Sequence, residues 1–380
     1  MRLETLAIHG GRGIDPGTGA VSMPLHTSTT FERAADGSFP AGFEYIRDAN
    51  PNRNAFEACM AVLEGGGEAI AFSSGMAAIA AIMEAHVATD CVRIVLPDDM
   101  YFGIRSLIAE TDLGRRFDFA TVDMTDLDRV RTVIAAERTT LVWVETPSNP
   151  LINVVDIEAV ARLAHSAGAI VVVDNTWGTP ALQRPFALGA DAVVHSATKY
   201  IGGHSDLMLG VVVLREASDL GRPLRAIQKH KGSVPSPFDC WMALRGVQTL
   251  SLRMKAHCAN AMAVAKALSA TSGVETVLYP GLPHDPGHDI ASRQMSGFGG
   301  MLSFTVSGGA ATALRLAGAL RIVTRATSLG GTHTLIEHRA SIEGPETKAP
   351  PGLLRVSIGL EHPDDIIDDL RNAFDVADAG

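Results

Sequence analysis

The sequence lacks the features that several classes of protein require. It has no cluster of Lys and Arg, and its formal net charge is −10 over 380 residues. Both facts argue against nucleic acid or an anionic membrane as a partner. No uncharged apolar run approaches the roughly 20 residues of a membrane span, and Met1-Arg2-Leu3-Glu4 lacks the apolar core of a signal peptide. We therefore expect small molecules as partners.

Common cysteine, nucleotide and metal motifs are also missing. There is no G-x-x-x-x-G-K-[ST], and no G-x-G-x-x-G opens a helix after the first strand. His284 and His288 have H-x3-H spacing, but they lie in a turn rich in Pro and Gly without a third ligand nearby, so we expect no metal site. The four cysteines show no C-x-x-C spacing, which indicates a cytoplasmic protein: Cys59, Cys91, Cys240 and Cys258.

What the chain does contain is an alternation of short β-branched runs with longer helical patterns. This alternation is typical of βαβ units and of a mainly parallel sheet. The predicted strands are residues 69–72, 93–96, 117–122, 141–145, 169–174, 192–195 and 210–214. Apolar residues from Val155 to Ala164 recur at helical spacing, and Gly168 is a natural stop for that helix.

The pattern changes near residues 60 and 250. Residues 1–60 are rich in Gly, Pro and Thr and weakly periodic, so they predict an irregular arm that contributes to a neighbouring subunit. Residues 61–250 predict a large cofactor-binding domain. Residues 251–380, with a helix at 252–268, a strand at 300–306 and a helix at 363–374, predict a smaller C-terminal α+β domain.

The most informative segment for chemistry is Ser196-Ala197-Thr198-Lys199, which follows a predicted strand and precedes Gly202-Gly203-His204-Ser205. A lysine at the end of a buried strand, surrounded by hydroxyls, can hold an aldehyde cofactor as a Schiff base. A partly desolvated pocket lowers the pKa of such a lysine and so favours the nucleophilic amine. The alternative is a solvated lysine after a strand.

Ligands of open α/β sheets collect at the carboxyl ends of strands, so residues just past each strand are candidates. Ser73-Ser74-Gly75-Met76-Ala77-Ala78 would offer free backbone N–H groups at a helix start to a phosphate. Asp174 would pair with a pyridinium N–H at the end of an apolar strand. The alternatives are an ordinary tight turn and a helix-capping aspartate.

Two further candidates follow other strands. Glu145-Thr146-Pro147-Ser148-Asn149-Pro150 is a rigid loop in which Asn149 can donate a hydrogen bond to a ring hydroxyl. Tyr101 follows Val95-Leu96-Pro97, where its ring can stack on a planar ligand. A structural turn and core packing are the respective alternatives.

In their order and spacing from about residue 5 to residue 375, these segments resemble the pyridoxal-phosphate enzymes of Cys/Met metabolism, the cystathionine lyase and synthase family. The matching motifs are Tyr45-Ile46-Arg47-Asp48-Ala49-Asn50-Pro51, Ser74-Gly75-Met76-Ala77-Ala78, Glu145-Thr146-Pro147-Ser148-Asn149-Pro150, Asp174-Asn175-Thr176-Trp177, Ser196-Ala197-Thr198-Lys199-Tyr200, Gly202-Gly203-His204-Ser205-Asp206 and Leu354-Arg355-Val356-Ser357-Ile358-Gly359-Leu360-Glu361. The resemblance implies an α/β protein of pyridoxal-phosphate fold type I (aspartate-aminotransferase-like), with a mainly parallel sheet in the large domain and a smaller C-terminal α+β domain.

The resemblance also implies roles at the cofactor. Lys199 would be the Schiff-base lysine of pyridoxal 5'-phosphate and later the base that moves the α proton. The phosphate would be held by the backbone of Gly75 and Met76 and the hydroxyls of Ser196 and Thr198. Tyr45 and Arg47 would reach that phosphate from a neighbouring subunit, which implies an active site shared between two subunits of a homotetramer.

Around the ring and the substrate, the resemblance assigns further residues. Tyr101 would stack on the ring and assist proton transfer, Asp174 would bind the pyridine nitrogen, and Asn149 and Thr176 would complete the cofactor site. Arg355, with Ser328, would clamp the α-carboxylate of an amino-acid substrate, a role that suits bidentate guanidinium geometry.

The predicted function is a pyridoxal-phosphate-dependent carbon–sulfur lyase of transsulfuration that cleaves cystathionine or a related thioether amino acid by β- or γ-elimination. The alternative within the family is γ-replacement on an O-acylhomoserine, as in cystathionine γ-synthases. Alternatives of other classes are a non-catalytic pyridoxal-phosphate-binding protein and an aminotransferase.

The chain departs from the family pattern near the substrate. The cystathionine γ-lyases and γ-synthases of the family have a segment similar to Ser-Leu-Gly-Gly-x-Glu. This chain has Ser328-Leu329-Gly330-Gly331-Thr332-His333 instead. Protonated His333 can meet a distal carboxylate of the substrate, or it is a rim residue without a role. Trp177, within Asp174-Asn175-Thr176-Trp177, resembles the β-lyase pattern, whereas Ser328-Leu329-Gly330 resembles the pattern of the γ enzymes. The choice between β- and γ-elimination therefore stays open.

Overall fold

The first part of the chain builds a seven-stranded sheet. In the computed structural model, which describes residues 1–86, 93–216, 220–344 and 347–378, the strands of this sheet run in the order β1-β7-β6-β5-β4-β2-β3. Only β7 runs antiparallel to its neighbours β1 and β6, so the mainly parallel sheet is confirmed. The strands are β1 (Glu68–Phe72), β2 (Arg93–Pro97), β3 (Asp118–Val122), β4 (Thr139–Glu145), β5 (Ile170–Asp174), β6 (Ala192–Ser196) and β7 (Gly210–Leu214).

These bounds agree with the predicted strands to within two residues, because most of the strands are buried on both faces and read as short apolar runs. The edge strand β3 differs, since only its last residue, Val122, is buried. Successive side chains point to opposite faces, so Val171 and Val173 join one apolar cluster and Val172 joins the other. The helices around this sheet are α1 (Leu3–His9), α2 (Pro51–Glu64), α3 (Gly75–Ala85), α4 (Phe102–Glu110), α5 (Leu113–Arg116), α6 (Leu127–Ala136), α7 (Ile157–Ser166), α8 (Thr179–Leu182), a 3₁₀ helix (Pro185–Leu188), α9 (Gly221–Lys231) and α10 (Pro237–Val247).

The last part of the chain builds a second sheet with its own apolar cluster. Its strands run in the order β10-β11-β12-β9-β8 and are β8 (Val274–Leu278), β9 (Met301–Val306), β10 (Thr324–Arg325), β11 (Leu335–His338) and β12 (Leu353–Ser357). The helices are α11 (Leu250–Ser269), α12 (His288–Gln294), α13 (Gly309–Ala319), α14 (Ala340–Glu343) and α15 (Pro363–Asp378). The predicted strand and two helices of this region are confirmed, and both helices extend slightly further than expected.

The N-terminal segment differs in part from the irregular arm that we predicted. Residues 1–60 include α1 and most of α2, and α2 packs against β1 and β7 of the large sheet. The helix begins there because the Asn50 side chain accepts the N–H groups of Asn52 and Arg53, with Pro51 at the first helical position. The predicted domain boundary at residue 60 thus falls inside α2, and both domain boundaries stay predictions.

Other sequence expectations have simple structural counterparts. No helix in the described ranges has the length and apolar character needed to cross a membrane. Cys59, Cys240 and Cys258 are free, and Cys91 lies outside the described residues. Of the two histidines with H-x3-H spacing, His288 has its Nδ1 within hydrogen-bond distance of the backbone, 2.7 Å from the carbonyl oxygen of Pro280.

Candidate functional site

A cavity of about 330 Å³ lies at the carboxyl ends of the parallel strands, between the two sheets. This is where ligands bind in open α/β sheets. Most of the predicted site residues line it: Gly75, Met76, Tyr101, Asn149, Asp174, Thr176, Ser196, Thr198, Lys199, Ser328 and Arg355.

One end of the cavity is formed by the start of α3. The Ser74 hydroxyl caps the helix by accepting the N–H of Ala77 at 3.0 Å, which leaves other first-turn N–H groups free for an anion. A Cβ atom added to Gly75 would lie 2.8 Å from Cβ of Ser196 and 2.9 Å from its hydroxyl oxygen. Glycine is therefore required for the close approach of α3 to β6, and the two elements form a narrow cradle.

The hydroxyl groups near this cradle are differently engaged. Thr198 Oγ1 donates to the Leu209 carbonyl at 3.2 Å and accepts the Leu209 N–H at 2.9 Å. Thr176 Oγ1 accepts the backbone N–H of Ser196 at 2.9 Å. The Thr198 hydroxyl proton is thus already used in this structure, and a phosphate here would have to compete with Leu209 for it.

Two carboxyl groups form the floor of the cavity. Asp174 ends β5 and pairs in register with Glu145 on the adjacent parallel strand β4. Burial raises the pKa of Asp174, and burial together with the charge of Asp174 holds the pKa of Glu145 well above its usual range. Asp174 accepts the backbone N–H of Thr176 at 2.9 Å, and Glu145 accepts that of Tyr101 at 2.8 Å. A cationic N–H group placed against Asp174 would relieve the cost of its buried charge.

Glu145 was not predicted as a site residue, although the loop that begins with it was. The signal was available, because Glu145 ends a buried strand just as Asp174 does. The cross-strand pairing that makes it matter depends on β4 and β5 being neighbours.

Lys199 reaches into the cavity from the loop after β6. Its Nζ donates to Ser328 Oγ at 2.8 Å. Burial, and then the positive charge of Arg355, lower the pKa of Lys199 to about 8. Ser328 has φ +85°, a conformation that non-glycine residues rarely adopt and that is costly unless the surroundings hold it. The chain therefore holds a reactive amine against the hydroxyl of a residue whose backbone conformation is strained.

Arg355 on β12 lies on the other side of Ser328. Its Nη1 donates to Asn149 Oδ1 at 2.9 Å, and its Nη2 donates to the Ser328 carbonyl at 3.1 Å and to Glu337 Oε2 at 2.8 Å. Its buried Nε has no hydrogen-bond partner among the residues that the structure describes. Because the side-chain oxygen Oδ1 of Asn149 already accepts from Arg355, the side-chain NH₂ of Asn149 is the group left to donate to a ligand.

Tyr101 lies at the end of the loop after β2, and its ring lines the cavity. Burial raises the pKa of Tyr101, so its phenol is neutral and is a hydrogen-bond donor at neutral pH. The ring of Phe102 packs edge-on against it with a centroid distance of 5.0 Å. The two aromatic residues thus line the same cavity as Asp174.

Three predicted site residues do not line this cavity. Tyr45 is 41% exposed, and Cζ of Arg47 lies 5.5 Å from the centre of its ring. His333 is exposed at a turn, with its Nδ1 3.4 Å from Thr332 Oγ1. The roles predicted for Tyr45 and Arg47 require a second subunit, and the role of His333 stays a prediction.

The structure also adds cavity residues that sequence analysis missed. Arg339 lies at the cavity edge, and Glu337 lies behind it, between Arg339 and Arg355. No local pattern identifies them, because their importance depends on the pairing of β11 with β12. Met208, Thr327 and Ile342 complete the mouth.

The chain is similar over nearly its whole length to proteins of one family. The family model described as "Cys/Met metabolism PLP-dependent enzyme" matches residues 4–375. Cystathionine gamma-synthase of Mycobacterium leprae is 44% identical over 377 residues, covering 98% of this chain and 96% of that protein. Cystathionine beta-lyase of Coxiella burnetii is 41% identical over 383 residues, covering 98% and 97%.

A solved structure is equally similar. The crystal structure of cystathionine gamma synthase from Xanthomonas oryzae pv. oryzae in complex with cystathionine has a TM-score of 0.95 and 39% sequence identity. The match covers 100% of this chain and 99% of that chain. Because synthase and lyase relatives differ little in identity, overall similarity does not separate the two reaction types.

Proposed function

This chain belongs to the family of PLP-dependent enzymes of Cys/Met metabolism, and from that membership we propose that it is a carbon–sulfur lyase of transsulfuration. Its substrate would be cystathionine or a related thioether amino acid, cleaved by β- or γ-elimination. The observation that carries the proposal is the placement of Ser328, which contacts the amine of Lys199 through its hydroxyl and the guanidinium of Arg355 through its carbonyl. A base and a carboxylate-binding group thereby face one cavity.

The residues of the cavity fit pyridoxal phosphate. The start of α3, with the Gly75 cradle against Ser196, suits the phosphate. The half-buried Asp174 suits the ring nitrogen, and the Tyr101 ring suits a planar face. Lys199, whose pKa is lowered to about 8, suits the aldehyde.

When bound, pyridoxal phosphate supplies an aldehyde that combines with amines and a ring that withdraws electrons from the α-carbon of the amino acid. Asp174 would keep the ring nitrogen protonated and so strengthen that withdrawal. Asn149 would donate its amide N–H to the ring hydroxyl, because its carbonyl already accepts from Arg355.

Lys199 would act twice. It would first hold the aldehyde, and after the substrate amine replaces it, Lys199 Nζ would accept the proton of the substrate Cα. About a tenth of an amine with a pKa of about 8 is neutral at pH 7, so a base is available without a large pH change. Ser328 would keep Nζ within the cavity, and Arg355 would hold the α-carboxylate.

The second candidate is γ-replacement on an O-acylhomoserine by a thiol. The 44% identity to the Mycobacterium leprae cystathionine gamma-synthase favours it. This reaction needs room for a second amino acid at the mouth of the cavity, where Met208 is 58% exposed and Ile342 46% exposed.

Product analysis of the holoenzyme tests both candidates. With L-cystathionine and water, β-elimination gives pyruvate, ammonia and homocysteine, whereas γ-elimination gives 2-oxobutyrate, ammonia and cysteine. O-succinylhomoserine with cysteine gives cystathionine and succinate if γ-replacement operates. The Lys199→Ala variant is the control and should lose turnover. Transfer of the amino group to a keto acid without sulfur release, or bound cofactor with no turnover, would overturn the proposal.

We further propose that the active site is shared between two subunits, as part of a homotetramer. Support comes from the position of Tyr45 and Arg47, which lie exposed and away from their own cavity. Mixing Lys199→Ala subunits with Tyr45→Ala subunits should restore part of the activity, because one site of each hybrid then keeps both residues. Hybrids verified by mass spectrometry that stay inactive would refute the shared site.

The cytoplasmic location stays a prediction, in keeping with the free thiols of Cys59, Cys240 and Cys258.

A further inference from the structure

A buried carboxylate behind the cavity wall is shared between two guanidinium groups. Glu337 on β11 is the register partner of Arg355 on the antiparallel strand β12. Its Oε2 accepts from Arg355 Nη2 at 2.8 Å and from Arg339 Nη1 at 2.5 Å. The three residues are 6%, 3% and 2% exposed for Glu337, Arg355 and Arg339, so water screens these charges little.

Arg339 is fixed from its other side as well. Its Nε and Nη2 donate to Glu343 Oε1 at 3.1 and 2.8 Å. Its Cζ lies 5.4 Å from the centre of the Phe102 ring, which belongs to the cavity wall. Glu343 Oε2 also accepts from Arg105 Nη2 on α4 at 3.0 Å. Arg339 therefore has little freedom to leave Glu337.

This sharing matters for a ligand of Arg355. A carboxylate paired with Arg355 alone would neutralise it and would compete with any anion that approaches from the cavity. Because Arg339 takes part of the charge of Glu337, Arg355 keeps a positive field toward the cavity while its position is fixed by Asn149 and Ser328. The positive field toward the cavity and the fixed position of Arg355 therefore both depend on its neighbours.

We propose that Arg339 is a positioning residue for recognition of the substrate α-carboxylate: it holds Glu337, and through Glu337 it leaves Arg355 able to bind that carboxylate. The inference rests on the proposed function only in taking an amino acid as the ligand of the cavity. It requires no cleavage of a carbon–sulfur bond.

Binding of glycine and glycinamide to the holoenzyme tests this role. The two amines differ in carrying a carboxylate or a neutral amide, and each changes the absorbance of the bound cofactor. Dissociation constants, corrected for the fraction of free amine, give a preference for the carboxylate. We expect wild type to prefer glycine, and Arg339→Met to lose roughly tenfold of that preference with glycinamide binding unchanged.

A second substitution separates charge sharing from a merely structural role. In the double variant Arg339→Met/Glu337→Gln the competing anion is gone, so the preference for glycine should return at least in part. Arg339→Lys, which keeps the charge, should lose less than Arg339→Met. Equal losses for glycine and glycinamide in Arg339→Met, or no recovery in the double variant, would overturn the proposal.

Glu337→Gln alone keeps the question decidable if Arg339→Met does not fold. Its preference for glycine should equal or exceed that of wild type, whereas a tenfold fall would contradict charge sharing. Thermal midpoints and cofactor content of every variant are measured alongside. A wild-type enzyme that does not prefer glycine to glycinamide would also refute the role, whatever its activity on cystathionine, so the outcome is distinct from that of the proposed function.

Discussion

The sharpest prediction concerns the protonation of Lys199 in the cofactor-free protein. Burial, with the nearby charge of Arg355, lowers the pKa of its amine from 10.5 to about 8. A shift of that size corresponds to about 3 kcal/mol of cost for the charged form. At pH 7 about 10% of the amine is then neutral, against about 0.03% for an ordinary lysine, a difference of about 300-fold.

Competitive labelling measures this directly. The cofactor-free protein and N-acetyl-lysine amide are treated together with trace acetic anhydride across pH 6 to 11, and the Lys199 peptide is quantified by mass spectrometry. Because the pKa is depressed, labelling of Lys199 should rise tenfold per pH unit below about pH 8 and level off above it. The small amine should keep rising to about pH 10.5.

A substitution adds the physical cause. Arg355→Met removes the cationic neighbour, which is the second contribution after burial, so the levelling point should move to higher pH but stay below that of the free amine. Labelling of wild-type Lys199 that rises without a plateau through pH 10 would refute the claim that burial tunes this residue. An unchanged profile in Arg355→Met would refute the electrostatic part alone.

Three further substitutions have defined expectations. Gly75→Ala should weaken cofactor binding, measured by absorbance titration, because its Cβ would lie 2.8 Å from Cβ of Ser196. The double variant Gly75→Ala/Ser196→Gly should recover part of the lost affinity. Equal cofactor affinity in wild type and Gly75→Ala would contradict the cradle. Asp174→Asn should lower kcat by about 10²-fold or more while cofactor stays bound, and a kcat within a few fold of wild type would contradict its role at the ring nitrogen. Arg53→Met should lower the free energy of unfolding by about 3 kcal/mol in denaturant, because the backbone carbonyls of residues 46–48 lose their buried donor. The exposed control Arg131→Met should change that free energy by about 0.5 kcal/mol or less. Equal effects of the two substitutions would contradict the stabilising role of these buried hydrogen bonds.

Much of the scaffold is a local property of the sequence. Most strands of the large sheet were predictable because a strand buried on both faces needs a short run of apolar residues, and such a run is visible without its neighbours. The positions of Lys199 and Asp174 followed in the same way, since each stands at the end of a run and strand ends meet at one edge of a parallel sheet. The extent of α2 was missed, because its cap at Asn50 lies within a stretch rich in turn-forming residues.

What only the tertiary structure decided is which side chains meet across that edge. The contact of Lys199 with Ser328 joins residues 129 positions apart, and that of Arg355 with Asn149 joins residues 206 positions apart. The pairing of Glu145 with Asp174, and of Glu337 with Arg355, depends on strand order and register. Residue type and local periodicity determine which groups stand at strand ends, but distances between those groups are determined by how the sheets pair and pack, and charge and hydrogen-bond energies depend on those distances.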